Sequence, residues 1–275
     1  MRESYKNRGF SLTEVLMSVG ILAVGMIFIA GVFPVGIHFT TIATERTIAA
    51  IVADEAFAKI KIYAKDNPAG GIDFGVGGIE TNQLKDFNDV LQAGVEIDSN
   101  EFTYPSDPNI NISRKQYCWS ALCRLTDDPN SNSRLVQVTV FVSRKVGSHL
   151  EYYDPHYDWN SADSTKVNWP MPDVVGWPVP VKVEVDQAGL RDNELRVTNF
   201  NIRVFINDGY TIVDDETGQI YRVLERYASP DDDTILLDRD WQGSFTGDVY
   251  VWVVPPPVNG SRYPCIAIYQ KVIRF

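Results

Sequence analysis

The stretch RGFSLTEVL at residues 8–16 opens a long run without charged side chains, and this run predicts the longest element of the chain. Between Val15 and Thr44 the chain contains no Asp, Glu, Lys or Arg. About 30 residues would span ~45 Å as a helix, whereas the hydrocarbon core of a bilayer is roughly 30 Å thick. The sequence therefore predicts one membrane-crossing helix that emerges on the far side.

Charge on either side of this run predicts its orientation. Arg2, Lys6 and Arg8 precede it, and Glu45 is the first charged residue after it. The positive-inside rule then leaves the leader in the cytoplasm and the rest of the chain outside it. The formal net charge is −11, and the first nine residues carry +2, so the remainder carries −13. An acidic body argues against nucleic-acid binding, which uses Lys and Arg to neutralise phosphates.

Two ordinary explanations of the run fit less well. A secretory signal peptide has an apolar core of roughly 7–15 residues followed by a cleavage site, and this run is about twice as long. A plain signal anchor fits the length but leaves Glu14 unexplained. A carboxylate at the centre of a bilayer costs up to ~3 kcal/mol, so such a residue normally has a partner.

Residues 8–16 resemble the cleavage and methylation motif of type IV prepilins and type II secretion pseudopilins. The resemblance extends from Arg8 to about Ile42. It implies cleavage between Gly9 and Phe10 by prepilin peptidase, followed by N-methylation of Phe10. Glu14 would then be the acidic fifth residue of the mature chain. The Phe10 amine of a neighbouring subunit would neutralise Glu14, and this pair would set the axial step of a fibre.

The resemblance also implies a location, a function and a set of partners. The protein would be a single-pass inner-membrane protein with its C-terminal domain in the periplasm or outside the cell, and it could be extracted into a pilus or pseudopilus. The expected function is structural, not enzymatic: a subunit of a type IV pilus, competence pilus or type II secretion pseudopilus. A head of this size favours a minor subunit. The expected partners are prepilin peptidase, other pilin or pseudopilin subunits, the inner-membrane assembly platform with its ATPase, and the lipid bilayer. The alternative is a membrane-anchored exported binding or adhesion module that uses the signal without polymerising.

The apolar helix is predicted to continue beyond the membrane. An apolar stripe at helical spacing follows the run and consists of Ala49, Ala53, Ala56, Ile60 and Tyr63. We expect a leader at residues 1–9 and one long helix at residues 10–66, with its membrane part at about 10–44. Pro34 should kink this helix because proline lacks a backbone donor.

The remaining sequence predicts an antiparallel β-sheet head and a smaller all-β domain, giving an α+β fold. Tyr117–Leu125 and 135–146 are rich in β-branched and aromatic residues and are separated by a polar turn. Residues 67–177 would form the head, and 178–257 an inserted barrel or sandwich. The last segment, 258–275, would return to complete the head by pairing with the hairpin. Further strands are expected at 181–185, 194–206, 210–213, 220–224, 234–237 and 249–254.

Few residues suggest ligand chemistry, and no cofactor is expected. Asp231, Asp232 and Asp233 are weak candidates for calcium, but a solvated turn explains them better. A second acidic and histidine-containing group, His149, Glu151, Asp154, His156 and Asp158, lacks the spacing of a known metal site.

The three cysteines leave two interpretations open. Cys265 could form a disulfide with Cys118 or Cys123, as an oxidising compartment would allow, or all three could be buried free thiols. Cys118 and Cys123 are five residues apart and would face opposite sides of one strand, so they cannot bridge each other.

Overall fold

In the computed structural model, the described residues are 11–65, 71–74, 78–92, 97–126, 134–145, 151–153, 174–187, 191–228, 231–245, 248–258, 260 and 262–275. The chain divides into two compact units, residues 1–48 and residues 49–275. The first unit carries most of one long helix. The second contains the end of that helix and all of the strands.

The N-terminal helix, α1, runs from Leu12 to Lys65 and agrees with the predicted range. Within residues 49–275 one face of α1 is buried. This face contains every member of the predicted stripe except Tyr63, and its buried side chains are Ala49, Val52, Ala53, Ala56, Phe57, Ile60 and Ala64. Lys271 reaches this part of the helix, with its Nζ 3.3 Å from Asp54 Oδ1 and 4.6 Å from the centre of the Phe57 ring. The 3.6-residue periodicity of the sequence therefore identified the packed face correctly.

Thirteen strands are assigned in the described parts of the chain. In order they are β1 (Lys85–Asp86), β2 (Thr103–Tyr104), β3 (Tyr117–Leu125), β4 (Leu135–Arg144), β5 (Tyr152–Tyr153), β6 (Val174–Val175), β7 (Val181–Gln187), β8 (Glu194–Val197), β9 (Thr211–Asp214), β10 (Ile220–Arg226), β11 (Thr234–Leu237), β12 (Val249–Val253) and β13 (Cys265–Arg274). Together with α1 they make an α+β fold, as predicted.

The head sheet has the order β1-β3-β4-β13, and β2 pairs with the same edge of β3 as β1 does. All pairs are antiparallel. Val140 in β4 lies opposite Ala121 in β3 and Tyr269 in β13. The C-terminal strand thus pairs with the hairpin, as the sequence analysis expected, although the whole barrel lies between them in the chain.

Six strands close into a barrel in the order β10-β11-β8-β7-β12-β9. Closure pairs every strand on both sides and leaves no free sheet edge. Its core contains aliphatic side chains from alternate strand positions, including Val181, Val183 and Val185 of β7. The predicted small β-domain at 178–257 is therefore a barrel, not a sandwich. The exact domain boundaries stay a prediction.

One predicted strand was wrong over most of its length. Residues 194–206 were expected to be extended, but β8 ends at Val197 and a 3₁₀-helix follows at Phe200–Phe205. Ile202, Phe205 and Ile206 are buried in the barrel core. Their spacing of three and four residues is helical, and Ile202 N donates to the Asn199 carbonyl to form the first turn. The prediction of a strand rested on the number of apolar residues in this segment, whereas their spacing indicated a helical turn.

The cysteines are three buried free thiols. Ser143 in β4 lies opposite Cys118 in β3 on one side and opposite Cys265 in β13 on the other. Cys118 and Cys265 are thus two strands apart, roughly 9–10 Å between Cα atoms, whereas a disulfide needs about 4.4–6.8 Å. This geometry resolves the question left open by the sequence.

A buried polar cluster joins the barrel to the head sheet. The Asp215 carboxylate accepts hydrogen bonds from Trp252 Nε1 at 2.6 Å and from the Leu84 backbone N at 3.2 Å. Its second oxygen is 2.7 Å from Lys182 Nζ. Around these groups, Leu84, Leu122, Phe141, Val213, Trp252, Val254 and Cys265 form one apolar cluster. The barrel and the sheet therefore share a core.

The turn after β9 fits against the side chains of the sheet. Gly218 has a φ of +70°, and its carbonyl accepts from Gln270 Nε2 at 2.6 Å. A Cβ at this position would lie 2.7 Å from Gln137 Nε2. The positive φ therefore favours glycine here, and a larger residue would also have to displace the end of the Gln137 side chain. The polar segment 214–218 connects two strands, β9 and β10, that were both predicted from the sequence.

Candidate processing and assembly segment

The described part of the signal begins at the first turn of α1. The Ser11 carbonyl accepts from Glu14 N at 3.0 Å and from Val15 N at 3.2 Å. Ser11 thus lies at the N-cap and Glu14 at the third helical position, which is the spacing of a capping box. A carboxylate in the first turn is also stabilised by the positive end of the helix dipole. The helix start therefore tolerates the one acidic residue at the edge of the apolar run.

Ser11 was not singled out from the sequence. The signal that could have identified it is the S-x-x-E pattern of residues 11–14, since this pattern marks a helix N-terminus before an apolar run. The cleavage site itself, Gly9 and Phe10, lies outside the described residues. The Glu14–Phe10 charge pair accordingly remains a prediction.

From Leu12 to Phe39 every side chain of α1 is exposed. They include Leu12, Ile21, Ile27 and Ile29, which are each at least 70% exposed. Nothing in unit 1 covers this surface, and the helix is long and apolar enough to cross a membrane. An apolar surface of this extent needs lipid or other protein around it.

Hydroxyl groups in this helix are bonded to its own backbone. Ser18 Oγ donates to the Glu14 carbonyl at 2.8 Å, and Thr40 Oγ1 donates to the Gly36 carbonyl at 2.8 Å. Thr41, Thr44 and Thr47 make the same bond four residues back. These bonds satisfy the donors locally, so the hydroxyls can lie in an apolar environment at little cost.

Helix α1 is continuous through Pro34. Proline has no N–H, so the carbonyl four residues earlier, at Ala30, loses its helical donor. The predicted kink at Pro34 is not tested by the continuous assignment and stays a prediction.

The Asp231–Asp233 segment forms a turn in which the carboxylates do not converge. Asp232 Oδ1 is 2.5 Å from Arg203 Nη1, and its Oδ2 is 3.7 Å from Arg226 Nη2. Asp233 Oδ1 accepts from Thr234 Oγ1 at 3.2 Å. In the described ranges no group of three or more His, Cys, Asp or Glu side chains could hold a metal ion. Of the other acidic and histidine-containing group, only Glu151 is described.

These features define a class of protein: one whose N-terminal helix is long and apolar enough to cross a membrane, with a folded α+β head. More particularly, residues 4–30 match the family model described as the prokaryotic N-terminal methylation motif. The chain therefore carries the signal of type IV prepilins and pseudopilins, as the sequence analysis expected, and is an exported protein anchored in the membrane. No curated protein and no solved structure matches the chain.

Proposed function

We propose that this protein is a minor structural subunit of a type IV pilus, competence pilus or type II secretion pseudopilus. The observation that carries the proposal is the methylation motif at residues 4–30, at the start of a helix whose apolar side chains are exposed up to Phe39. Lipid would cover this surface before assembly, and the helices of neighbouring subunits would cover it afterwards.

Glu14 supports assembly over simple anchoring. In a plain anchor the Glu14 carboxylate would serve only the start of the helix, and it would cost up to ~3 kcal/mol wherever it entered the bilayer centre. Cleavage after Gly9 would create a new amine on Phe10, four residues before this carboxylate. Pairing between the Phe10 amine of one subunit and Glu14 of the next removes the cost only in the fibre.

The expected cycle uses partners of known kinds. Prepilin peptidase removes residues 1–9 and methylates Phe10, and an assembly platform with its ATPase extracts the helix from the inner membrane. The head then lies in the periplasm or outside the cell. No catalytic step is assigned to the chain itself.

Intact-mass measurement of the membrane-purified protein tests the first step. We expect the mass of a chain that begins at Phe10 and carries one methyl group. Gly9→Val should leave the full-length chain unprocessed. An unprocessed wild-type chain in a host with active prepilin peptidase would contradict the proposal.

Co-assembly with the other pilins of the host tests the second step. Glu14→Ala should be processed normally but be depleted from sheared fibres, whereas the matched change Glu45→Ala, at the far end of the apolar run, should co-assemble. Equal incorporation of the two variants would contradict the pairing of Glu14 with the Phe10 amine, whereas absence of the wild-type chain from the fibres would favour the alternative role of an exported binding module that does not polymerise.

A further inference from the structure

A cavity of about 690 Å³ opens at one end of the barrel. Its lining comes from the segments before β9, after β10 and after β12, together with Tyr153 of β5. Ligand sites have volumes of roughly 300–1,000 Å³ and often lie at barrel mouths. The cavity therefore has the size and the place of a binding site, and it is far in sequence from the processing signal.

Tyrosine and proline rings form much of the cavity wall. Tyr153, Tyr210, Tyr227, Pro256 and Pro257 all line it. Their positions are fixed by packing and hydrogen bonding: Tyr210 stacks on Tyr263 with ring centres 3.9 Å apart, and the Tyr227 hydroxyl donates to Glu194 Oε1 at 2.7 Å. Val204, at the rim, is 45% exposed although aliphatic. Such fixed apolar rings suit a ligand with flat C–H faces.

Polar groups in the lining are held by one another. Arg226 Nη1 donates to Asn207 Oδ1 at 2.9 Å, and Arg226 Nε donates to the Asp232 carbonyl at 2.7 Å. The Arg226 backbone N donates to Asp208 Oδ1 at 2.6 Å. This network fixes the planar side chains of Asn207 and Asp208 at the cavity, so a ligand that binds them does not have to order them first.

The Tyr210 hydroxyl lies behind the cavity wall. Tyr210 is 4% exposed, and its Oη is buried. Burial raises the pKa of Tyr210, and the neighbouring Asn207 side chain lowers it. Tyr210 therefore contributes its ring to the wall and packs beside Asn207.

The same contacts exclude other classes of ligand. Arg203 binds the Asp232 carboxylate, and Arg226 binds the Asp232 carbonyl and Asn207. The charge of both arginines is therefore already compensated, so the cavity does not favour an anionic ligand. The closed barrel has no sheet edge to which an extended peptide could add. Asn207 Nδ2 donates to the Val204 carbonyl at 2.9 Å, and each of Asn207 and Asp208 accepts one bond from Arg226, so a purely apolar ligand would desolvate only the remaining bonding capacity of these two side chains.

We propose that this cavity binds a neutral saccharide through its vicinal hydroxyl groups. The tyrosine and proline rings would contact the C–H faces of the sugar. Adjacent hydroxyls would bond to the Asn207 amide and the Asp208 carboxylate. This inference does not depend on the proposed role in a fibre.

Titration of the full-length protein with oligosaccharides tests the proposal. The protein should be kept in a detergent without a sugar headgroup, such as an amine oxide, since a maltoside could itself occupy the cavity. The probes are maltotriose, cellotriose and triacetylchitotriose, which are all neutral, with a polyproline decapeptide as the competing class. Binding is followed by calorimetry and saturation-transfer NMR. We expect one-to-one binding of at least one trisaccharide and none of the peptide.

Single substitutions test whether the saccharide binds in this cavity. Tyr227→Ala and Asn207→Ala should each raise the Kd about tenfold or more, which corresponds to ~1.4 kcal/mol. Val204→Trp, an exposed rim position, should block entry without disturbing the core. Asp240→Ala, an exposed carboxylate elsewhere on the barrel, should bind like wild type, and circular dichroism checks that every variant is folded. The proposal is overturned if no trisaccharide binds, if only the peptide binds, or if folded Tyr227→Ala, Asn207→Ala and Val204→Trp bind as tightly as wild type.

Discussion

Replacing Asp215 with alanine should destabilise the head by about 3 kcal/mol, because this side chain holds the barrel against the sheet. The carboxylate is 9% exposed and compensates Lys182 at 2.7 Å. It also accepts from the Trp252 indole at 2.6 Å and from Leu84 N at 3.2 Å. Removing one member of a buried ion pair costs roughly 3–5 kcal/mol. The Lys182 side chain is 29% exposed and can be partly rehydrated, so the lower end of this range applies.

Urea denaturation followed by tryptophan fluorescence measures this loss, since Trp252 is itself a partner. The matched control is Asp186→Ala, which removes an ion pair with Arg196 at 3.1 Å whose side chains are about half exposed, 54% and 45%. Exposed pairs contribute only about 0–1 kcal/mol. In the double variant of Asp215→Ala with Lys182→Met, part of the stability should return, because no charge is then left unpaired. A difference below about 1 kcal/mol between Asp215→Ala and Asp186→Ala would refute the reasoning.

Three further outcomes follow from buried groups of the head. Burial raises the pKa of Cys118 and Cys123, and it raises the pKa of Cys265 to about 12. Iodoacetamide at pH 8 should therefore label none of these thiols in the folded protein and all three in urea. Labelling of the folded protein would contradict the burial of the thiols. Burial also raises the pKa of Asp214, so the folded protein holds this proton more tightly than the unfolded chain and loses stability as the pH rises from about 4 through the folded-state pKa. The unfolding free energy of Asp214→Asn, relative to that of wild type, should therefore increase as the pH rises through this range. If the difference between the two proteins does not change with pH, the pKa of Asp214 is not raised by folding. Gly218→Ala should cost about 1–2 kcal/mol in the same denaturation assay, because it combines a positive φ with a close contact, and an unchanged midpoint would show that neither constraint matters.

Much of the fold could be predicted from local patterns. Helix α1 followed from a charge-free run and a stripe at helical spacing. β3 and β11 followed from β-branched and aromatic residues between polar turns. The sequence also indicated that the last strand returns to the hairpin. The helix and the two strands depend on residues a few positions apart in the chain. The return of β13 was predicted because no other strand was left to pair with it.

The order of strands around the barrel could not be read in this way, because closure depends on pairs such as β9 with β12 that are distant in the chain. The same limit applies to Asp232. Its neighbours in sequence are acidic, which suggested calcium, but its partners in space are Arg203 and Arg226. At the processing segment the motif predicts the roles of Gly9, Phe10 and Glu14 from their spacing along the chain, and these roles stay a prediction. The cavity at the barrel mouth, by contrast, is assembled from four separate segments.

The late position of β13 has a consequence for how the head is made. Arg274 pairs with Leu135, so one edge of β4 stays unpaired until residues 265–274 have been exported. The barrel, whose strands are all contiguous between Val181 and Val253, can form during this delay. An open edge of ten residues is a template for pairing with other chains. Translocation of this protein should thus pass through a stage at which the barrel is folded but the sheet is still vulnerable to aggregation, and chaperone binding in the exporting compartment is expected at that stage.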